Sequence, residues 1–273
     1  MTIALGIIAH DGIVVAADTE ETTGYMKSSQ TKILSVLGGM TVGEPNETVS
    51  MEYKKDDPLG ACAITGAGNS GYIDCIGMKF AEEFAGNPGK DLEYVFGKCL
   101  KEFYDEHVIP FAAFPDHDRP QLEMLVAVHR MSRSNLFVTD RSTIRSVQKY
   151  KAVGMGSVFA EIILKRLWRP ADIPSTQILA AYIAFMAKEH IESCGKYTTV
   201  TTLHGPRPFV LTDKGVPLKT VYPDKAITHM AWQEIDDLER IFRKYYAKTE
   251  VNAVWNLISE IELSSAQKSK GQQ

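Results

Sequence analysis

Apolar positions along the chain follow two periods, one of two residues and one of 3.6. Thr2 to Ala9 is apolar and β-rich, His10-Asp11-Gly12 is a turn signal, and Gly12 to Asp18 (GIVVAAD) resumes as a buried strand ending on a carboxylate. A polar stretch, Thr19 to Thr31 with Gly24 as a turn, leads to a short strand over Lys32 to Val36. Leu37 to Gly60 holds Pro45, Pro58 and the charge run Lys54-Lys55-Asp56-Asp57, and reads as a surface loop or insertion. Gly60 to Thr65 is a further buried strand, which runs into Gly66-Ala67-Gly68-Asn69-Ser70-Gly71 and then a helix to about Phe84. After Asn87-Pro88-Gly89, Asp91 caps a second helix. Its residues Leu92, Val95, Phe96, Cys99, Leu100 and Phe103 make an i, i+3, i+4, i+7 stripe, and Pro110 stops it.

The second half repeats this alternation of strand groups and helix pairs. Phe111 to Pro120 is a loop. Gln121 to Arg130 alternates, with Leu122, Met124, Val126 and Val128 on one face. Asn135 to Asp140 and Ile144 to Tyr150 continue as a meander. Ala152 to Ser157 is a strand turning into a helix that ends before Pro170. Ser175 or Thr176 caps a fourth helix, which runs through about Ser193 until Gly195 breaks it. Thr198 to Leu203 and Phe209 to Thr212 are late strands, and Trp232, Ile235, Leu238, Phe242 and Tyr245 stripe a C-terminal helix.

Helices therefore come in consecutive pairs between groups of strands. A doubly wound parallel sheet would alternate strand and helix singly. The order predicts an α+β fold: a four-layer αββα sandwich of two antiparallel sheets flanked by helix pairs. Residues 1–263 read as one domain, with 37–60 as an insertion and 264–273 as a flexible polar tail.

Composition narrows the function. The 30 Lys+Arg against 34 Asp+Glu give a formal charge of −4, which argues against a nucleic-acid partner. Hydrophobic residues at 44% and charged residues at 23% are ordinary for a folded globular chain. The longest apolar run, Ile178 to Ala187, falls short of the ~18 residues a membrane span needs, so no membrane partner is expected. The N-terminus lacks a basic region and an apolar signal core, so a cytoplasmic location is expected. Cys62, Cys75, Cys99 and Cys194 form no C-x-x-C pair and read as reduced thiols. Asp116-His117-Asp118 reads as an exposed loop, and no cofactor or metal is expected.

Two features could carry chemistry. Removal of Met1 leaves Thr2 with an α-amine and a hydroxyl on one residue. An N-terminal amine has a reference pKa of about 7.7–8.0 and can take the proton of a neighbouring hydroxyl. Gly66-Ala67-Gly68-Asn69-Ser70-Gly71 matches G-x-G-x-x-G, but the helix after it leads to another helix. The βαβ unit that dinucleotide binding requires is missing.

The run from Thr2 through Asp18, followed by Thr22-Thr23-Gly24-Tyr25 and Ser29-Gln30-Thr31-Lys32-Ile33, resembles the start of proteasome-type β subunits, which are N-terminal-nucleophile hydrolases. The chain is on these residues identified as a divergent bacterial or archaeal-like member of that group. The hairpin matches in spacing and turn, and the lysine differs by about one residue of gap. The resemblance implies Thr2 as nucleophile, Lys32 as a fixed cation beside it, Asp18 as its anchor, and the Gly66 N–H as oxyanion donor. It also implies unfolded protein or peptide as substrate, a homo-oligomeric ring around a chamber, and an ATP-dependent unfoldase as a possible partner. The chain departs from the pattern at three places. Met155 in Gly154-Met155-Gly156-Ser157 replaces a serine that supports the amine. His190-Ile191-Glu192-Ser193-Cys194-Gly195 lacks the supporting Asp, for which Glu192 or His190 could substitute. Glu20 stands where a basic residue is usual. Three functions remain open: a threonine-type peptidase, a catalytically silent scaffold of the same fold, and an amidohydrolase for small amides.

Overall fold

The computed structural model describes residues 2–23, 26–37, 40–42, 60–87, 89–113, 121–130, 133–205 and 226–245. Most of the expected 37–60 insertion, the Asp116-His117-Asp118 loop, the expected Phe209–Thr212 strand, Trp255 and the 264–273 tail lie outside the described residues.

The chain opens with a hairpin of β1 (Ile3–Ala9) and β2 (Gly12–Asp18). Nearly every residue of both strands is buried, which is why the sequence there is an apolar run and not an alternation. A second hairpin follows, β3 (Glu20–Thr23) with β4 (Met26–Ser29), then β5 (Ile33–Leu37), β6 (Met40–Val42) and β7 (Ala61–Gly68). Helices α1 (Ser70–Gly86) and α2 (Leu92–His107) come next, with Asp91 accepting the Glu93 N–H as the expected cap. Strands β8 (Leu122–Arg130), β9 (Arg133–Asp140), β10 (Thr143–Val147) and β11 (Tyr150–Gly154) lead to α3 (Ser157–Leu167) and α4 (Ile173–His190). Strands β12 (Thr198–His204) and β13 (Ile227–His229) and a helix over residues 232–245 complete the described chain.

These elements make the four-layer α+β sandwich. One sheet has the order β11-β1-β2-β12-β13, the other β10-β9-β8-β7-β5-β6. All these neighbours pair antiparallel. Three apolar layers hold the stack. Phe80, Phe84, Phe96 and Phe103 of α1 and α2 pack on Met124, Val126 and Val128 of the six-stranded sheet. Ala160, Leu164, Ala180, Ala181 and Ile183 of α3 and α4 pack on Ile3, Leu5 and Ile7 of the five-stranded sheet. Between the sheets, Ile13, Leu125, Leu136 and Leu203 interleave with the small residues Ala4, Ala17, Ala61, Ala63 and Ala127.

Three local expectations are corrected. The strand expected to end at Thr65 runs on through Gly66-Ala67-Gly68 as β7, because β8 continues to pair with it as far as Gly68 opposite Leu122. The polar stretch after Asp18 is a hairpin held by its ladder, from Glu20 opposite Ser29 to Thr23 opposite Met26. The cap of α4 is Asp172 rather than Ser175 or Thr176. Its carboxylate accepts the Ser175 N–H, the Thr176 hydroxyl bonds its carbonyl, and a proline follows in the first turn.

Candidate active site

The register of the first hairpin builds the site. Ala4 pairs with Ala17, so the next pair outward sets Ile3 against Asp18 at the open end, with Thr2 just beyond. Asp18 is fully buried, yet each carboxylate oxygen is engaged. Oδ1 accepts the Ile3 N–H at 3.1 Å and the Lys32 ammonium at 3.0 Å, and Oδ2 accepts the Gly195 N–H at 3.1 Å. Burial still dominates and pushes the Asp18 carboxyl above its ordinary value, against the Lys32 charge and these hydrogen bonds.

Lys32 reaches the same point from the residue before β5. Its ammonium has three N–H donors and meets three acceptors. They are Thr2 Oγ1 at 2.5 Å, Asp18 Oδ1, and the carbonyl oxygen of Glu20. Thr2 is 6% exposed and the Lys32 side chain 14%, so the cation sits in a site largely shielded from water, where its field is strong. A cation donating to a hydroxyl oxygen stabilises the alkoxide that forms when the hydroxyl loses its proton.

The opposite flank of Thr2 is backbone. Ile3 pairs with Gly154 at the end of β11. Gly154 has φ +88, and a β-carbon there would fall 2.2 Å from the Thr2 carbonyl oxygen and 2.8 Å from the Ala67 Cβ. Only glycine takes that conformation at that approach without strain. Glu123 on β8 reaches across to accept the Gly154 N–H at 3.0 Å. Met155, where the sequence comparison expects a serine, is 61% exposed.

Lys32 thus bridges Thr2 and Asp18. Gly66 stands nearby on β7: Ile33 pairs with Thr65, so Lys32 comes level with Gly66, and Ala67 meets Gly154 beside the Thr2 carbonyl. A β-carbon at Gly66 would lie 2.6 Å from Met124 Sδ and 2.8 Å from the Glu123 carbonyl oxygen. His190 packs on the Phe159 ring at 5.3 Å, and its neighbour Glu189 accepts from Arg243 at 2.9 Å. Cys194 is buried beside Gly156 and close to Asp18. Its thiol is pushed up to about 12, first by burial and then by the Asp18 charge, so it is no competing nucleophile near neutral pH.

Three contributors escaped the sequence: the Ile3 and Gly195 N–H groups and the Glu20 carbonyl. All are backbone groups, which carry no residue-type signal. Gly195 was legible only as a helix stop. Among the described residues no group of three His, Cys, Asp or Glu side chains is arranged to hold a metal ion, and no helix is long and apolar enough to cross a membrane.

Comparison with known proteins agrees on the fold. No protein-family model matches the chain, and no curated protein does. Among solved structures, Anbu from Yersinia bercovieri, described as an ancestral beta-subunit, superposes with a TM-score of 0.61 at 11% identity, over 91% of this chain and 96% of that one. The Anbu complex from Pseudomonas aeruginosa, solved as a helical assembly, gives 0.60 at 14% identity over 91% and 94%. A Gly-1 mutant of Anbu from Hyphomicrobium sp. strain MC1 gives 0.58 at 12% over 92% and 97%. These neighbours correct the identification made from the first third of the sequence. The matched structures are Anbu proteins, so a divergent bacterial or archaeal proteasome β subunit is not what the comparison supports. At these identities the likeness is one of fold. The chain shares the four-layer α+β fold of these Anbu structures.

Proposed function

We propose that this chain is a threonine-type N-terminal-nucleophile hydrolase that cuts peptide bonds, with residues 1–263 as one catalytic unit in a cytoplasmic homo-oligomer. The observation that carries this proposal is the Lys32 ammonium on Thr2 Oγ1, anchored by a buried Asp18 with every oxygen engaged. A solvated surface lysine needs no such seat.

Removal of Met1 frees the Thr2 amine. The amine takes the Oγ1 proton as Oγ1 attacks the scissile carbonyl, and Lys32 stabilises the developing alkoxide. The Gly66 N–H receives the oxyanion. Collapse of the tetrahedral intermediate breaks the C–N bond, and the proton held by the amine passes to the leaving nitrogen. Water then attacks the ester, gives its proton to the same amine, and the Thr2 hydroxyl is restored with release of the acid.

Assembly into a homo-oligomer is supported by the Pseudomonas aeruginosa neighbour, whose structure is a helical assembly. Enclosure would confine the site to unfolded chains and peptides, delivered by an ATP-dependent unfoldase. One observation favours a second reading, a silent scaffold. Met155 is exposed where a serine would support the amine. The Thr2→Ala variant separates the two. Turnover of a fluorogenic peptide amide is expected to vanish while the melting curve holds, and unchanged turnover by pure Thr2→Ala protein would sink the proposal.

A further inference from the structure

A second shielded ion pair lies at the end of α4, and its hydrogen bonds lead back to the site. Lys188, in the last turn of α4, meets Glu239 on the helix over residues 232–245. Their side chains are 9% and 14% exposed, much as for Lys32 and Asp18. Taking two charges out of water costs about as much as their attraction returns, so such a pair is weak evidence of stability. What it holds is more telling. The Lys188 ammonium also donates to the Lys196 carbonyl oxygen at 3.2 Å, and Glu239 Oε1 also accepts the Thr198 hydroxyl at 2.9 Å. Lys196 has φ +59, which a residue with a side chain rarely adopts and keeps only where its surroundings impose it. On one side of it, the Gly195 N–H donates to Asp18 Oδ2 at 3.1 Å. On the other, Tyr197 is stitched to Thr19, the neighbour of Asp18. The Thr19 N–H donates to the Tyr197 carbonyl at 2.9 Å, and the Tyr197 N–H to Thr19 Oγ1 at 3.0 Å. The Tyr197 ring stacks on Trp232, at the start of the same C-terminal helix, with centroids 5.2 Å apart. That helix therefore grips the turn at two points.

The turn has a definite seat. A β-carbon at Gly195 would fall 2.3 Å from Glu20 Oε2. Loss of the Gly195 donor would leave a buried Asp18 oxygen unmet, and a buried acceptor without a donor is costly. Asp18 would then hold Lys32 less firmly. Resting on the hydrolase proposal above, we infer that Lys188 and Glu239 are positioning residues for the reaction. They fix Lys196 so that the Gly195 N–H stays on Asp18, which in turn seats Lys32 against Thr2. The C-terminal helix acts on the site through this turn.

The test replaces the pair as a unit, Lys188→Met/Glu239→Gln, because removing one partner strands a buried charge. With a fluorogenic peptide amide, kcat is expected to fall about tenfold while KM stays within about twofold. In an Asp18→Asn background the same replacement should lower kcat by less than about twofold, because both changes act through one contact. A merely structural role would add its full effect there. A second arm needs no turnover. Hydrogen exchange in the peptide spanning residues 191–198 should quicken in the variant, with β1 and β2 unchanged. Melting temperature is the folding control. If the double variant does not fold, Glu239→Gln alone is read in the same way, with a smaller fall expected. Unchanged kcat, or an additive effect with Asp18→Asn, overturns this inference and leaves the hydrolase proposal standing. Absence of turnover in the unmodified protein, with quickened exchange in the variant, overturns the hydrolase proposal and leaves the hold on the turn standing. Unchanged exchange overturns the inference whatever the turnover.

Discussion

The two ends of the layer between the sheets handle buried polar groups differently. At one end Asp18 and Lys32 are charged, and each donor and acceptor of the pair is used. At the other, His129 sits opposite Ala61, at the far end of β7 from Gly66. Its Nδ1 meets Ser134 Oγ at 3.0 Å, but its Nε2 has no hydrogen-bond partner among the described residues. Gly205 packs on the ring, so no side chain intervenes. Burial, then the neighbouring His204, lowers the His129 pKa to about 4. A charge is kept in this core where a network receives it, and an imidazole without one stays neutral. Under the proposed function the first end carries the chemistry, and the second makes the fold sensitive to acid.

The largest effect should come from the charged end. Lys32→Ala is expected to lower turnover by roughly 10²–10³, because an electrostatic donor to the developing alkoxide is lost. A solvated lysine would change stability by about 0.5 kcal/mol or less and leave the rate untouched. Rate and melting curve on one preparation separate these outcomes, and full activity would remove the contrast between the two ends.

The neutral end should show itself in the pH dependence of stability. His129 binds its proton less well folded than unfolded, so the unfolded state gains more protons as pH falls. Stability is fully present above about pH 6.5, is lost progressively down to about pH 4, and levels off below. The loss amounts to about 3 kcal/mol. Urea unfolding across this window checks it, and His129→Gln should flatten the slope. An unchanged slope in that variant would assign the acid sensitivity elsewhere.

Asp18→Asn should cost roughly tenfold to a hundredfold in turnover, since Lys32 keeps its charge but loses its anchor. An effect as large as that of Lys32→Ala would mean that Asp18 does more than position. The smallest change expected is at Met155, on the backbone flank of Thr2. Met155→Ser adds at most one neutral hydrogen bond to the amine and should raise turnover by no more than about tenfold. Steady-state kinetics on the two proteins measures it, and a large fall would show that the exposed methionine is itself required.

Legibility of the fold followed burial. β1 and β2 are buried on both faces, so their apolar runs gave the strand limits to within a residue. The β3–β4 hairpin escapes the sequence pattern because Glu20-Glu21-Thr22-Thr23 and Lys27-Ser28-Ser29 carry no apolar alternation; a backbone ladder pairs them. The α4 cap was misplaced because Ser175 and Thr176 are good capping types, whereas Asp172 stands before a proline and looks like loop. In the site, Thr2, Asp18 and Lys32 were legible as side chains at hairpin and strand ends. The Ile3 and Gly195 N–H groups and the Glu20 carbonyl were not, since any residue can offer them.

The central claim is that Thr2 is a free N-terminal nucleophile. Intact mass followed by peptide mapping, after treatment with an inhibitor directed at N-terminal threonine, tests it most directly. The expected result is a chain lacking Met1, with one adduct confined to the Thr2 peptide and absent from Lys32→Ala protein under the same exposure. A chain that retains Met1, or an adduct anywhere other than Thr2, would contradict it.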